Sequence, residues 1–78
     1  MFQHIDPPIE VHDPDDTHTV LELFARDGEE VLVNRRGRNR GHGASRISLA
    51  EAQRLARQQH VKLTCGQSDM LRSEPENG

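Results

Sequence analysis

Five arginines crowd into twelve residues: Arg35, Arg36, Arg38, Arg40 and Arg46 lie in the stretch RRGRNRGHGASR, spaced by Gly37, Gly41 and Gly43 and free of acids. A guanidinium holds its charge at any physiological pH and offers a planar fork of donors that fits phosphate or carboxylate. Glycine spacing keeps such a stretch adaptable, as in basic segments that order on contact with RNA. Neutralising several phosphates would release counterions and give salt-sensitive binding. The other ingredient of single-strand recognition is scarce, because Phe2 and Phe24 are the only aromatics and bases need stacking platforms. The arginines therefore suit a phosphate backbone read without sequence specificity or a protein contact, and the plainer reading is a solvated loop whose charge offsets the acidic arm by docking against it.

A second cluster, His12, Asp13, Asp15, Asp16 and His18, raises the question of a metal. Zinc needs three or four ligands held tetrahedrally, and neither H-E-x-x-H nor paired C-x-x-C occurs. The D-x-[DN]-x-[DN]-G calcium loop is not matched either. The acids read better as a solvated arm, in which Asp13, Asp15 and Asp16 present negative charge to a basic partner. Nucleophiles are equally sparse. Cys65 has His60 nearby in sequence, yet it falls in phase with Val61 and Leu63, where a thiol acts as a small hydrophobe. Ser45 and Ser48 lack a base, and neither G-x-x-x-x-G-K-[ST] nor G-x-G-x-x-G is present. We expect no catalytic residue, no metal and no cofactor, and hence a protein that is not an enzyme.

Charge is strongly polarised along the chain. Residues 1–34 carry nine acids against Arg26, residues 35–46 carry only arginines, and residues 47–78 balance at four of each sign. The net charge of −3 counts mildly against a free nucleic-acid binder, since these are usually basic overall. Seventy-eight residues allow one core, and a chain of this size buries only about 60–65% of its unfolded surface. A core of Val, Leu, Ile and Ala leaves little room for a deep pocket, and a second copy or a stable partner would supply missing burial. One cysteine excludes an internal disulfide. No apolar run reaches the length of a membrane span and no signal-peptide pattern opens the sequence, so a cytoplasmic protein without membrane contact is expected.

Elements must position these charges. Residues 1–17, with Pro7, Pro8 and Pro14, read as an extended, disordered acidic arm. Residues 18–25 and 30–34 read as a β-hairpin around Asp27-Gly28, because glycine accepts positive φ. Residues 35–46 read as a flexible basic loop. Ser48-Leu49-Ala50-Glu51 is a capping-box sequence, opening a helix over residues 49–59 with an apolar stripe of Leu49, Ala52, Leu55 and Ala56. Arg54 and Arg57 fall on its wet face. Residues 61–65 alternate as a third strand, and residues 67–78 read as a flexible tail. The expected fold is α+β: a single ββαβ domain over residues 18–66, one amphipathic helix packed on a three-stranded sheet. Helix, break and second helix over AQRLARQQHVKLTCGQSDML is set aside, since His60 stands where a turn usually has glycine.

Two resemblances follow. The order strand, "DGEEV", strand, "SLAEAQRLARQQHVKLT" from Leu21 to Thr64 resembles the N-terminal domain of bacterial translation initiation factor three, which implies ribosome or RNA association. In size, element order and polarised charge the chain is also similar to small phage-encoded inhibitors such as anti-CRISPR proteins. The expected function is a small non-enzymatic inhibitor or adaptor that binds a larger protein or ribonucleoprotein complex. It would act through Arg35, Arg36, Arg38, Arg40, Arg46, Arg54, Arg57, Asp13, Asp15 and Asp16. The alternative is direct RNA or DNA binding through the arginine-rich loop.

Overall fold

The computed structural model describes residues 2–37 and 43–73. Four strands follow one another as a meander: β1 (Phe2–Asp13), β2 (Asp16–Asp27), β3 (Glu30–Arg36) and β4 (Gly43–Ser48). They form one antiparallel sheet in sequence order, β1-β2-β3-β4. Two helices, α1 (Leu49–Gln58) and α2 (Cys65–Met70), complete an α+β domain.

The first correction is the acidic arm, which is a twelve-residue strand. Ile5, Ile9 and Val11 are among its buried residues, and their shared parity is what a strand needs to bury one face. Each fully buried Ile or Val contributes about 1.5–3 kcal/mol relative to exposure, enough to hold the segment against its prolines. Those prolines sit where a sheet tolerates them, on an edge strand and at an irregularity. Pro7 and Pro8 fall in the register shift between His4 and Ile9, and the Asp6–Pro7 bond is cis. Pro14 lies in the turn that joins Asp13 to Asp16.

The β2–β3 hairpin forms as expected around Gly28, which has φ 65°. A bulge interrupts it. Leu23 pairs with Val33 and Ala25 with Leu32, so Phe24 is the extra residue and the alternation slips by one. Arg26 then stands opposite Val31 and is 5% exposed. Its Nε donates to the Gly28 carbonyl at 2.8 Å, and its Nη1 donates to those of Met70 and Arg72 at 2.9 and 2.6 Å. Three carbonyls disperse a charge that would otherwise be costly to bury.

The expected loop over residues 35–46 is shortened from both ends. β3 continues through Arg36 and β4 begins at Gly43; Arg38 and Arg40 lie outside the described residues. Ser48 caps α1, its hydroxyl accepting from the Glu51 amide at 3.0 Å, but only this half of the expected capping box forms. The Glu51 carboxylate pairs with Arg54. Leu49, Ala52, Leu55 and Ala56 are all buried, and they pack with Leu21, Leu23, Val31 and Val33 in one core.

The other corrections concern the C-terminal third. Residues 61–64 form no strand, and Cys65 opens α2 with its side chain exposed. α1 ends with His60 at φ 51°, the left-handed position that glycine usually takes. The Val61 amide donates to the Ala56 carbonyl and the His60 amide to that of Arg57, the paired bonds of a Schellman ending. Residues 61–64 leave the helix there, with Val61 and Leu63 packed against the core. Thr64 then caps α2 in a complete capping box with Gln67. The segment expected as tail is helical from Gln67 to Met70, and Leu71 joins the core. Residues 74–78 lie outside the described set.

Candidate functional site

The described arginines expected to bind a partner are each held by the protein itself, Arg57 excepted. Arg35 donates to Asp13 at 3.2 Å and Arg36 to Glu22 at 2.9 Å, with Glu10 at 3.6 Å from Arg36. Arg46 pairs with Glu30 at 2.8 Å. Strand pairing explains this: β3 and β4 carry the arginines while β1 and β2 carry most of the acids, and the meander lays one beside the other. The exposed pairs of Arg36 with Glu10 and of Arg46 with Glu30 contribute at most about 1 kcal/mol each, whereas Arg35 meets the buried carboxylate of Asp13. Arg57 is exposed and has no ion-pair partner among the described residues.

The acids Asp13, Asp15 and Asp16 build the β1–β2 turn. Asp13 accepts from the Asp15 amide at 2.9 Å. Asp16 accepts from the His18 amide at 3.1 Å and the Thr19 hydroxyl at 2.9 Å. Such short-range bonds are what make Asp a turn residue, and Asp13-Pro14-Asp15-Asp16 is a turn sequence that propensity alone could have found. Among the described residues, no three His, Cys, Asp or Glu side chains are placed to share a metal ion. An open depression of about 460 Å³ lies between this turn and the ends of β3 and β4, lined by Asp13, Asp15, Asp16, Thr19 and Arg35 among others. Acid and base face each other across it.

Two features that the sequence did not announce are better suited to binding. One is the outer edge of β4. The Leu49 amide donates to the Glu29 carbonyl at 2.8 Å, one step beyond the Glu30–Ser48 pair. Paired residues of an antiparallel ladder alternate between bonded and non-bonded. Gly43, Ser45 and Ile47 therefore turn their backbone groups to β3, while Ala44 and Arg46 turn theirs outward. Among the described residues no hydrogen bond reaches those outward groups. The opposite edge is engaged at two residues. The Gln59 side chain accepts from the His12 amide at 2.7 Å and donates to the His12 carbonyl at 2.8 Å, as a neighbouring strand would. Gln67 donates to the Pro7 carbonyl at 2.8 Å.

The other feature is a groove of about 460 Å³ in the helical layer, between α1, residues 61–64 and α2. Ala56, Val61, Leu63 and Leu71 supply its apolar lining, Arg57 and Arg72 its charge. Gln53 spans it, donating to the Leu71 carbonyl at 2.6 Å and the Ser73 hydroxyl at 3.3 Å. The Thr64-Cys65-Gly66-Gln67 capping sequence was the available signal for α2, and thus for this groove.

No family model, curated protein or solved structure matches the chain. No helix among the described residues is long and apolar enough to cross a membrane.

Proposed function

We propose that the chain is a non-enzymatic adaptor or inhibitor domain that docks on a larger protein or nucleoprotein complex by accepting an extended acidic segment along β4. The inequality of the two sheet edges carries this reading. Glutamine side chains engage the outer side of β1 at His12 and Pro7, whereas nothing among the described residues engages the outward groups of Ala44 and Arg46. An unpaired edge is a template for another strand, with main-chain bonds giving affinity and alternate side chains giving specificity. The charge of the occupant follows from the sequence: Arg46 lies on β4, Arg38 and Arg40 lie in the connection that precedes it, and no acid occurs between residues 35 and 46.

Direct nucleic-acid binding is the weaker alternative. Arg36 and Arg46 could leave their partners at a small cost each, but Arg35 would leave the buried Asp13 carboxylate unpaired, and Glu10, Glu22 and Glu30 would stay beside any phosphate and repel it. The resemblance to small phage-encoded inhibitors fits the docking reading through size and charge distribution alone.

The test is affinity capture with the wild-type chain and with Ala44→Pro, each with and without nuclease. Proline removes an outward amide without taking a bond from β3, and edge strands tolerate it. A protein retained after nuclease by the wild type and lost with Ala44→Pro supports the proposal. Equal retention by both chains rejects the edge, and recovery of nucleic acid alone moves the assignment to the arginines acting on phosphate.

A further inference from the structure

We infer that the groove between α1 and α2 is a second docking site, and that its occupant is an acidic peptide segment of a protein partner carrying an aliphatic anchor. The apolar part of the argument rests on exposure. Leu71 and Ala56 are only 5% and 6% exposed, while Val61 and Leu63 are partly buried and pack against the core. Four aliphatic side chains thus line an open, shallow groove of about 460 Å³, room for one or two side chains of an incoming segment.

Charge selects the occupant. The residues lining the groove include Arg57 and Arg72 and no acid. Arg72 has Asp69 at 3.7 Å with both side chains more than 70% exposed, a loose contact that a better-placed carboxylate would displace. A cationic rim over an aliphatic floor matches a peptide of alternating acidic and aliphatic residues, and it disfavours a basic one by like charge.

The walls are set before any ligand arrives, which lowers the ordering cost of binding. Gln53 ties α1 to the carbonyl of Leu71. Arg26 holds the carbonyls of Met70 and Arg72 from beneath. The Schellman bond from Val61 to Ala56 fixes the floor. The site is independent of β4, none of whose residues line it. The chain's own Glu74 and Glu76 supply charge but no aliphatic anchor, so a partner's segment is the better occupant.

The experiment titrates the full chain with a synthetic octapeptide of alternating Glu and Leu, observed by amide NMR shifts, beside the Lys/Leu counterpart. Shifts should concentrate at Ala56, Arg57, Val61, Leu63, Leu71 and Arg72. Arg57→Glu combined with Arg72→Glu should weaken affinity at least about tenfold, a change of about 1.4 kcal/mol, and Ala44→Pro should leave it unchanged. Loss of binding with Ala44→Pro, equal binding of the Lys/Leu peptide, or no groove shifts at millimolar peptide would overturn the inference. So would Glu74→Gln with Glu76→Gln moving the groove amides in the absence of peptide, which would make the chain's own end the occupant.

Discussion

The two edges of the sheet are built on opposite plans. β1 is long, anchored by three aliphatic side chains in the core and engaged on its outer side by Gln59 at His12 and by Gln67 at Pro7. β4 is half its length, six residues against twelve. It buries none of its residues fully and turns two residues' backbone groups outward. Aggregation through open edges is a general hazard, and here the protection is spent on one side only. Proline, glutamine caps and buried aliphatics concentrate at β1, while small residues and one arginine mark β4. An edge left open beside a guarded one reads as a surface kept for use.

Four measurements test this contrast. The largest effect is expected from the anchors of β1. Ile9→Ala should cost about 2–5 kcal/mol in urea unfolding, whereas Ile47→Ala on the half-buried face of β4 should cost about 1 kcal/mol. Similar values would mean that β4 is as integral as β1. Next is Gln67→Ala, which removes the donor to Pro7 and half of the α2 capping box. A loss of about 1–3 kcal/mol is expected by the same assay; an unchanged midpoint would show that neither bond matters. Gln59→Ala should cost only about 0.5–1.5 kcal/mol, but it bares the outward groups of His12. Sedimentation velocity should then detect concentration-dependent self-association, and a variant that stays monomeric would show that glutamine is not what shields that edge. His60→Gly is the smallest change. It relieves a left-handed residue and should gain about 0.5–1 kcal/mol in thermal unfolding, steadying the turn that presents Gln59.

Much of the centre of the molecule was legible in the sequence. The hairpin around Asp27-Gly28 and the α1 stripe of Leu49, Ala52, Leu55 and Ala56 rest on local rules, and both formed as expected. The ends were misread for physical reasons. Pro7 and Pro8 spoke for disorder, yet the even spacing of Ile5, Ile9 and Val11 was the stronger term once a neighbouring strand could receive it. Residues 61–65 alternate like a strand, but His60 accepts a left-handed turn and Thr64 begins a helix, so the alternation serves a groove wall instead. The binding candidates were legible only as charge. Arg35, Arg36 and Arg46 stand together in the sequence, but their separate pairing with Asp13, Glu10, Glu22 and Glu30 depends on a register that no local pattern encodes.

One buried guanidinium has a dynamic consequence. Arg26 reaches across 44 and 46 residues of sequence to the carbonyls of Met70 and Arg72, and the bulge at Phe24 is what aims it there. α2 and residues 71–73 are thus held to the rest of the domain by three side chains, Arg26, Gln53 and Gln67, and by the burial of Leu71. Such a segment opens as a cooperative unit well below the free energy of global unfolding. Its amides should exchange together, earlier than those of β2 and β3, and a peptide seated in the groove should slow them as a group.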